Sequence, residues 1–412
     1  MPRFFHPLHL PFLCVDKSKN LNRVLALRII NDWIAKFISF FIPIFLYGLG
    51  QNLVYPGPLA LLNQLSSFQK GVVLMALYSA LLRGLILILS LPLGKLVARH
   101  GTRLGLLANL FFQTGYLLFL LLSRQSLWFL YPAALFQAIH IYLLNTIYFT
   151  LFALFSLKKH VGEDLSLAEF ILQLVSVAVP AIGGVIIVQF GYDLLFLSSL
   201  IGIGASFAMT LLMDPITFKI APAWSEFRSW LKNRPYQKVL VSYVGRYVND
   251  GALGLWPIYV LIFAGSIEKV GFAYSLSLFF SMIIIFFTGI YFDHHKSHKP
   301  FLISGSLLSS LWLVRMSVTN ILSAVIVDTL DKLAGSFHWL FFDAMAINGS
   351  KGDRALSFFT YRELIMSVSG VIFWLLVAGV FVLPMGWYSL FALGAVGMIL
   401  TLFMNDHRQD LS

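Results

Sequence analysis

The sequence predicts an all-α polytopic membrane protein with twelve transmembrane helices arranged in two similar halves. Hydrophobic residues make up 59% of the 412 residues and charged residues only 11%, whereas about a quarter of the residues of a soluble globular protein are charged. Apolar runs long enough to cross a bilayer recur along the whole chain. A set of polar residues inside those runs occurs twice in the same order, which indicates an internal duplication.

The duplication rests on four sets of matching residues. In chain order they are Arg28, Asn31 and Asp32 with Arg246, Asn249 and Asp250; Gly94 with Gly289; His140 and Asn145 with His338 and Asp343; and Glu169 with Glu363. The last three sets are offset by 195, 198 and 194 residues. The first is offset by 218, which is explained if the segment 265–269 in the second half replaces the longer segment 48–70 in the first.

About 20 apolar residues span a bilayer. By that rule we expect twelve spans, at 24–49, 70–94, 104–123, 127–156, 165–190, 193–213, 237–264, 270–292, 300–319, 321–347, 356–382 and 385–404. The chain then divides into an N-terminal arm (1–23), a first half (24–213), a linker (214–236), a second half (237–404) and a tail (405–412). Six spans in each half give both halves the same orientation, as parallel repeats require.

The loops sort by charge into two sets. One set, which includes 95–103 and 219–238, holds nearly all the Lys and Arg residues outside the spans, and the other holds almost none. Cytoplasmic loops carry the excess of Lys and Arg, so we expect both termini in the cytoplasm and a multi-pass protein of the plasma or inner membrane. Because the basic residues are dispersed over many loops, the net charge of +11 indicates topology and no nucleic-acid partner.

The only substantial hydrophilic segment joins the two halves. Within it Trp224, Phe227 and Leu231 fall at helical spacing, opposite Glu226 and Arg228. This pattern predicts an amphipathic helix on the inner leaflet of the membrane. A plain linker without a helix is the alternative.

The loop between the second and third spans resembles the signature of the major facilitator superfamily, Gly-x-Leu-x-Asp-Arg-x-Gly-Arg-Lys. Gly94, Leu96, Arg99 and Gly101 match it, and Ala98 stands where the family has Asp. The second-half copy keeps the acidic residue. By this resemblance we expect a gating motif formed by Gly94, Arg99, Gly101 and Arg103 with Gly289 and Asp293.

The fifth span resembles a motif of antiporters in the same superfamily, Pro-x-x-Gly-Gly, at Pro180, Gly183 and Gly184. The resemblance as a whole implies two six-helix bundles around a central cavity, which rock so that the cavity opens to either side in turn. Glycines allow the close helix packing that this needs. Basic residues at the cytoplasmic mouth can pair across the halves in one state and part in the other.

Fourteen charged residues lie in or near the spans. Exposure of one such charge to lipid costs roughly 3 kcal/mol, so we expect them to face the interior. Seven are basic and seven are acidic, so their number does not indicate whether the substrate is positively or negatively charged. They are Arg28, Lys36, Arg83, Arg246, Arg315, Lys332 and Arg362, and Asp32, Glu169, Asp250, Asp328, Asp331, Asp343 and Glu363.

Two carboxylates are the main candidates for proton coupling. Arg28, Asp32 and Lys36 are spaced so that two cations can bracket Asp32 on one helix face, and Arg246 with Asp250 repeats part of the pattern. Burial disfavours the charged form of a carboxylate and a nearby cation favours it, so rocking can change the protonation of Asp32 and Asp250. A permanent ion pair at each site is the alternative.

The tenth span is the most polar. Asp328 and Lys332 have the spacing of a helical ion pair, which leaves Asp331 without a partner in its own helix. Arg83 is its predicted counterpart, or else a substrate anchor.

The remaining candidates repeat between the halves or accompany the charges. Asp343, Glu169 and Glu363 are further coupling candidates. Cavity candidates are Arg28, Lys36, Arg83, Arg246, Asn31, Asn249, His140, Asn145, His338 and Trp256. For each histidine a buried neutral ring bonded to a carbonyl is the alternative.

The sequence lacks the Gly-rich phosphate loop, the nucleophile elbow and the Cys/His zinc spacing, so we expect no enzyme, cofactor or metal site. The main hypothesis is a monomeric secondary transporter in the lipid bilayer, coupled to protons or another ion, that exports a small organic solute. Proton-coupled uptake of a metabolite is the alternative within transport. A receptor, scramblase or assembly factor on the same scaffold is the alternative outside it.

Overall fold

The computed structural model describes residues 26, 40–55, 57–156, 161–294, 298–350, 352–383 and 385–404, and nearly all of them are helical. The helices are α1 Ile42–Gln51, α2 Ser67–His100, α3 Thr102–Leu122, α4 Leu130–Phe155, α5 Val161–Leu211, α6 Trp224–Lys232, α7 Arg234–Ala264, α8 Ile267–His294, α9 Lys299–Val314, α10 Ile321–Gly349, α11 Ala355–Val382 and α12 Gly386–Thr401. We call α1–α5 the first half and α7–α12 the second half.

Helix α5 contains two spans. It is 51 residues long and is broken at Gly191, whose φ of 80° is not helical. A glycine adopts this left-handed conformation without steric cost. A continuous helix of that length would measure about 75 Å, far more than the hydrocarbon thickness of about 30 Å. Since α6 is the linker, α7 to α12 are the seventh to twelfth spans. The described residues place a helix at the second to twelfth predicted positions, and α1 covers the end of the first, most of which lies outside the description.

Six of the described helices are long and apolar enough to cross a membrane by length and composition: α2, α3, α4 with the turn before it, α5, α7 and α11. Helix α10 is long enough but carries four charged residues, at 328, 331, 332 and 343. These charges lie inside the protein, so they do not prevent the helix from spanning.

The two halves repeat each other in detail. His140 on α4 places Nδ1 2.8 Å from Oδ1 of Asn109 on α3. His338 on α10 places Nδ1 3.3 Å from the carbonyl oxygen of Phe301 on α9. The fourth helix of each half thus turns its histidine to the third, as a duplicated fold predicts.

The halves meet most extensively where α5 packs along α8 and α2 along α11. Pro180 has no N–H, and the N–H of Ala181 after it donates to Ser275 Oγ of α8 at 3.1 Å. A Cβ at Gly271 would lie 2.2 Å from the Pro180 carbonyl oxygen, and one at Gly184 would lie 3.0 Å from Cα of Glu268. Gly183 faces Phe41 of α1 within its own half.

The connection between α2 and α3 is a single residue, Gly101, with φ 88°. Linker residues pair with this connection, since the N–H of Thr102 donates to the Ile216 carbonyl at 2.9 Å and the N–H of Phe218 to the Ala98 carbonyl at 3.2 Å. Arg99 is exposed. At position 98, where the superfamily signature has Asp, the backbone carbonyl of Ala98 accepts one of these hydrogen bonds from the linker.

Linker helix α6 buries Phe227 and Trp230, whereas Trp224 and Leu231 stay exposed at 48% and 42%. The predicted apolar face was therefore partly wrong. Trp230 faces inward because it stacks on Tyr236 at 4.3 Å between ring centroids and also packs on aromatic side chains of α11.

Candidate functional site

A cavity of about 460 Å³ lies between the two halves, within the usual range of about 300–1,000 Å³ for small-molecule sites. Its walls come from α2, α4 and α5 of the first half and α7, α8, α10 and α11 of the second. On α10 the lining runs from Asp331 to Asp343, and on α11 from Arg362 to Met366. The stretch on α11 lies near the end of the bundle with the Lys/Arg-rich loops, which we call the basic end, and the stretch on α10 lies around the middle of its helix. We call the other end of the bundle the sparse end.

The cavity brings together most of the charged residues predicted to face the interior. Both members of two repeated pairs line it, Asn145 with Asp343 and Glu169 with Glu363. The predicted candidates that line it are Arg83, Asn145, Glu169, Arg246, Asp250, Asp331, Asp343 and Glu363, and Lys332 and Arg362 join them.

The two histidines do not line the cavity. His140 bonds to Asn109. His338 stacks on Phe301 at 4.5 Å between centroids, and its Nε2 lies 2.8 Å from Thr401 Oγ1. Each is buried and finds a polar partner within its own half, so each has a packing role.

Asn249 and Trp256 also lie outside the cavity lining. Asn249 Oδ1 accepts a hydrogen bond from Trp312 Nε1 at 2.9 Å. Trp256 covers the guanidinium of Arg315, whose carbon is 4.9 Å from the ring centroid. Both side chains stabilise the interior of the second half.

Four candidates from the first span, Arg28, Asn31, Asp32 and Lys36, lie outside the described residues. Gly289 and Asp293 belong to the described backbone of α8, and their side chains lie outside the description.

Arg246 is held mainly by Asp343. Its Nη2 lies 3.2 Å from Asp343 Oδ2, and Nη1 donates to Oδ1 of the same carboxylate. The predicted partner Asp250 is farther away, with Oδ2 3.8 Å from Nε. The Asp250 side chain is 46% exposed, compared with 15% for Asp343. Both carboxylates line the cavity, and Asp250 is the more weakly held and the more exposed of the two.

The side chain of Arg83, on α2 of the first half, contacts residues of the second half. Its Nε donates to Tyr247 Oη at 2.9 Å, and its guanidinium carbon lies 4.3 Å from the Tyr247 ring centroid. Trp374 Nε1 donates to the same hydroxyl at 2.8 Å. Arg83 Nη1 lies 3.9 Å from Glu363 Oε2 and makes no hydrogen bond.

Arg362 forms the other pair at this wall. Its Nη2 donates to Glu363 Oε1 at 2.7 Å. The guanidinium carbon lies 4.3 Å from the ring centroid of Phe149 and 5.0 Å from that of Phe359. Since Phe149 is on α4, this contact also joins the two halves.

The polar cluster of α10 differs from the prediction. Asp331 Oδ1 lies 3.1 Å from Nη2 of Arg315, and Asp328 Oδ1 lies 3.9 Å from the same nitrogen. Lys332 donates to Tyr274 Oη at 3.0 Å. Asp331 therefore pairs with Arg315, and its predicted pairing with Arg83 is wrong. Asp328 still interacts electrostatically with Lys332, as helical spacing favours.

Arg315 explains the difference. It lies in the short 3₁₀ turn that ends α9, is fully buried, and has its guanidinium carbon 4.1 Å from the Trp312 ring centroid. Sequence reasoning gave it no role, although a buried arginine must find a carboxylate. Gln173, which lines the cavity and donates to Ser281 Oγ of α8, was also missed. Neither the residue type of Gln173 nor its spacing from other polar residues indicated a role at the cavity.

No group of three His, Cys, Asp or Glu side chains suited to a metal ion occurs among the described residues. The acidic groups at the cavity face Arg or Lys side chains or the open space. What this arrangement can do chemically is bind a charged or polar solute and exchange a proton at a carboxylate.

No protein-family model matches the chain, and no curated protein matches it by sequence. Solved structures do match. The human organic anion transporter MFSD10 (TETRAN) is similar at TM-score 0.68 and 10% identity, over 94% of this chain and 99% of that one. The E. coli fucose:proton symporter FucP is similar at TM-score 0.64 and 13% identity, over 94% and 98%.

A third structure, a bacterial homologue of the iron transporter ferroportin in its outward-facing state, has TM-score 0.64 and 13% identity over 93% and 98% of the chains. At these identities the likeness shows the fold. It confirms the predicted fold class, an all-α polytopic membrane protein with twelve helices in two pseudo-symmetric six-helix bundles, the fold of major facilitator superfamily transporters.

Proposed function

We propose that this protein is a secondary active transporter that moves a small organic solute by alternating access, coupled to protons. The observation that carries the proposal is the charged cavity between the halves, in which Asp250 is the half-exposed, weakly paired carboxylate. All three similar structures are of transporters or a transporter homologue, and one is named a proton symporter.

Contacts between the halves lie on both sides of the cavity. Towards the sparse end, Gln69 Nε2 donates to the Phe381 carbonyl at 2.9 Å. Towards the basic end, the hydroxyl oxygens of Tyr142 and Thr360 are 2.9 Å apart. Breaking one set while keeping the other would open the cavity to one side only, which is the requirement of alternating access.

In this mechanism Asp250 carries the proton. The unprotonated carboxylate is attracted by Arg246, which Asp343 already holds with two contacts. Protonation removes this weak attraction and leaves the Arg246–Asp343 pair intact. The cost of changing the charge at Asp250 is thus kept small in the cavity, where its side chain can reach solute and water.

We favour export, with both termini cytoplasmic and a monomer in the cell membrane. Pro180, which belongs to the stretch that resembles the antiporter motif, packs directly against α8 of the second half. Proton-coupled uptake is the second candidate, favoured by the likeness to the fucose:proton symporter.

Transport assays separate these candidates. In everted vesicles, collapse of an imposed pH gradient on addition of a solute indicates antiport. In right-side-out vesicles, accumulation that needs an inward proton gradient indicates symport. A receptor, scramblase or assembly factor predicts neither result, and predicts that the triple variant D32N/D250N/D331N keeps its cellular role.

Alternating access has its own test. Cysteines at Gln69 and Phe381, or at Tyr142 and Thr360, are joined by a short cleavable crosslinker in a variant without Cys14. Each crosslink should stop transport, and cleavage should restore it. Continued transport with either pair crosslinked would contradict the mechanism.

A further inference from the structure

The charged groups at the cavity sort into three clusters. In the first, two cations face two carboxylates, so the cluster is neutral. In the second, one cation faces two carboxylates, and in the third, two cations share one carboxylate. The clusters are Arg315 and Lys332 with Asp328 and Asp331; Arg246 with Asp343 and Asp250; and Arg83 and Arg362 with Glu363. Glu169, the remaining charged lining residue, has an interaction of its own.

The surplus positive charge of the third cluster resides on Arg83. Glu363 is engaged by Arg362 at 2.7 Å and lies 3.9 Å from Arg83. Among the described residues, only the Nε–H of the five N–H groups of the Arg83 guanidinium has a hydrogen-bond partner, Tyr247. Unmet donors on a buried cation are costly, and two parallel N–H groups of a guanidinium match the two oxygens of a carboxylate.

We propose that Arg83 binds a carboxylate of the substrate, so that the transported solute is a small organic carboxylate with an apolar body. This rests on the proposed function. The apolar body would lie against Phe149, Leu253 and Met366, which line the same cavity. Asp250 interacts electrostatically with Arg83, and when the solute carboxylate occupies Arg83 the negative charge at Asp250 is balanced either by an ammonium group of the same solute or by the coupled proton.

The second half orients Arg83. Tyr247 fixes Nε and the plane of the guanidinium, and Trp374 fixes the Tyr247 hydroxyl. Gly370 leaves room for both, since a Cβ there would lie 2.6 Å from Cγ of Arg83 and 2.7 Å from Cζ of Tyr247. Tyr247 is therefore a positioning residue, and the carboxylate site is complete only while α2 is packed on α7 and α11.

The test measures thermal unfolding of the purified full-length protein in detergent with matched solutes, because a ligand of the native state stabilises it. The aromatic set is 3-phenylpropanoate, phenylalanine, phenethylamine and 3-phenylpropanamide. The aliphatic set is hexanoate, 6-aminohexanoate, hexylamine and hexanamide. Members with a carboxylate should raise the unfolding temperature, and the amines and amides should not.

Variants then locate the site. Arg83→Gln should weaken carboxylate binding about tenfold to a hundredfold, as expected for lost hydrogen bonds to a charged group. Arg83→Lys, which keeps the charge without the planar donor pair, should also bind more weakly. Tyr247→Phe should weaken binding about fivefold. Arg124→Gln, at an exposed surface pair, should leave it unchanged, and size-exclusion chromatography checks folding.

The positive charge that balances Asp250 can come from an ammonium group of the solute or from the coupled proton, and either agrees with the proposal. Stabilisation by the amino acids in preference to the simple carboxylates identifies an ammonium at Asp250. Stabilisation by the simple carboxylates that grows on acidification, and is independent of pH in Asp250→Asn, identifies a proton.

Three results would overturn the proposal: no carboxylate stabilises the protein, amines or amides stabilise it equally, or Arg83→Gln binds as the wild type does. Binding of amines together with proton-coupled transport would overturn the assignment of Arg83 and leave the proposed function standing.

Discussion

The fourth and tenth spans occupy equivalent places in the two halves and differ most at the cavity. His140 and His338 set the register, 198 residues apart. At the same offset Asp328, Asp331 and Lys332 correspond to Leu130, Ala133 and Ala134, all buried among apolar side chains. At these three positions the second half has charged residues where the first half has apolar ones, whereas another lining pair, Glu169 and Glu363, is the same in both halves.

The two halves therefore contribute different kinds of side chain at these equivalent positions. In α4 the neighbouring Phe136 packs on Phe112 and Phe119, with 5.2 Å between centroids in each case. In α10 the corresponding region is an ion cluster around Arg315. Among the described lining residues, the second half supplies seven of the nine charged side chains, and the first half supplies Arg83 and Glu169.

The largest expected effect is the loss of Arg315. Arg315→Leu leaves Asp331 and Asp328 without their buried cation, and we expect a loss of about 3–5 kcal/mol of stability. Thermal and denaturant unfolding in detergent measure it. Arg124→Leu, at an exposed surface pair, should cost less than about 1 kcal/mol. Equal stability of the two variants would show that the cluster of α10 is not what distinguishes the halves.

The reciprocal change places the acidic residue in the first half. Ala133→Asp puts a carboxylate where apolar residues surround it, and we expect a cost of about 2.5–3.5 kcal/mol on membrane-insertion scales. Expression level and unfolding temperature measure this cost, with Ala133→Val as the control for side-chain size. Normal stability of Ala133→Asp would mean that a partner exists in the first half.

A smaller effect is expected where the halves approach most closely. Gly271→Ala would bring a methyl group to 2.2 Å from the Pro180 carbonyl, and we expect a cost of about 1–3 kcal/mol from overpacking, together with slower transport. Gly204→Ala, which meets nothing within 4 Å, is the matched control on α5. If both variants transport at the wild-type rate, α5 and α8 do not need this contact.

The smallest effect concerns the linker. The Tyr361 hydroxyl accepts from the Ala223 N–H at 2.9 Å and donates to Glu226 at 2.7 Å, so α6 is fastened to the second half. Tyr361→Phe should cost about 1 kcal/mol and speed hydrogen exchange in 223–232. Unaltered exchange there would assign the attachment to Phe227 and Trp230 alone.

The sequence predicted the fold class, the duplication and the charged residues of the cavity lining, because hydropathy and the cost of lipid-exposed charge act along one helix at a time. It did not predict the closest partners of these charges. The pairs that helical spacing favoured, Asp328 with Lys332 and Arg246 with Asp250, do interact. Closer contacts come from other helices, since Arg315 reaches α10 from the end of α9 and Asp343 reaches Arg246 from α10. Such partners depend on helix packing, which spacing within one helix does not contain.

The histidines show the same limit. The repeat identified His140 and His338 as equivalent, which the structure confirms, yet repetition does not distinguish a packing role from a functional one. The two imidazole rings make hydrogen-bond contacts with Asn109, Phe301 and Thr401. These partners lie on other helices, and nothing in the sequence around them identifies them as partners.

The most direct test of the account is proton movement in proteoliposomes, measured with a solute that dissipates an imposed pH gradient with the wild-type protein. Asp250→Asn should lose solute-dependent proton movement and retain exchange of solute across the membrane. Asp193→Asn, at an exposed position next to the Gly191 break in α5, should retain both. Unchanged proton movement in Asp250→Asn would contradict the claim that this carboxylate of the second half couples transport to protons.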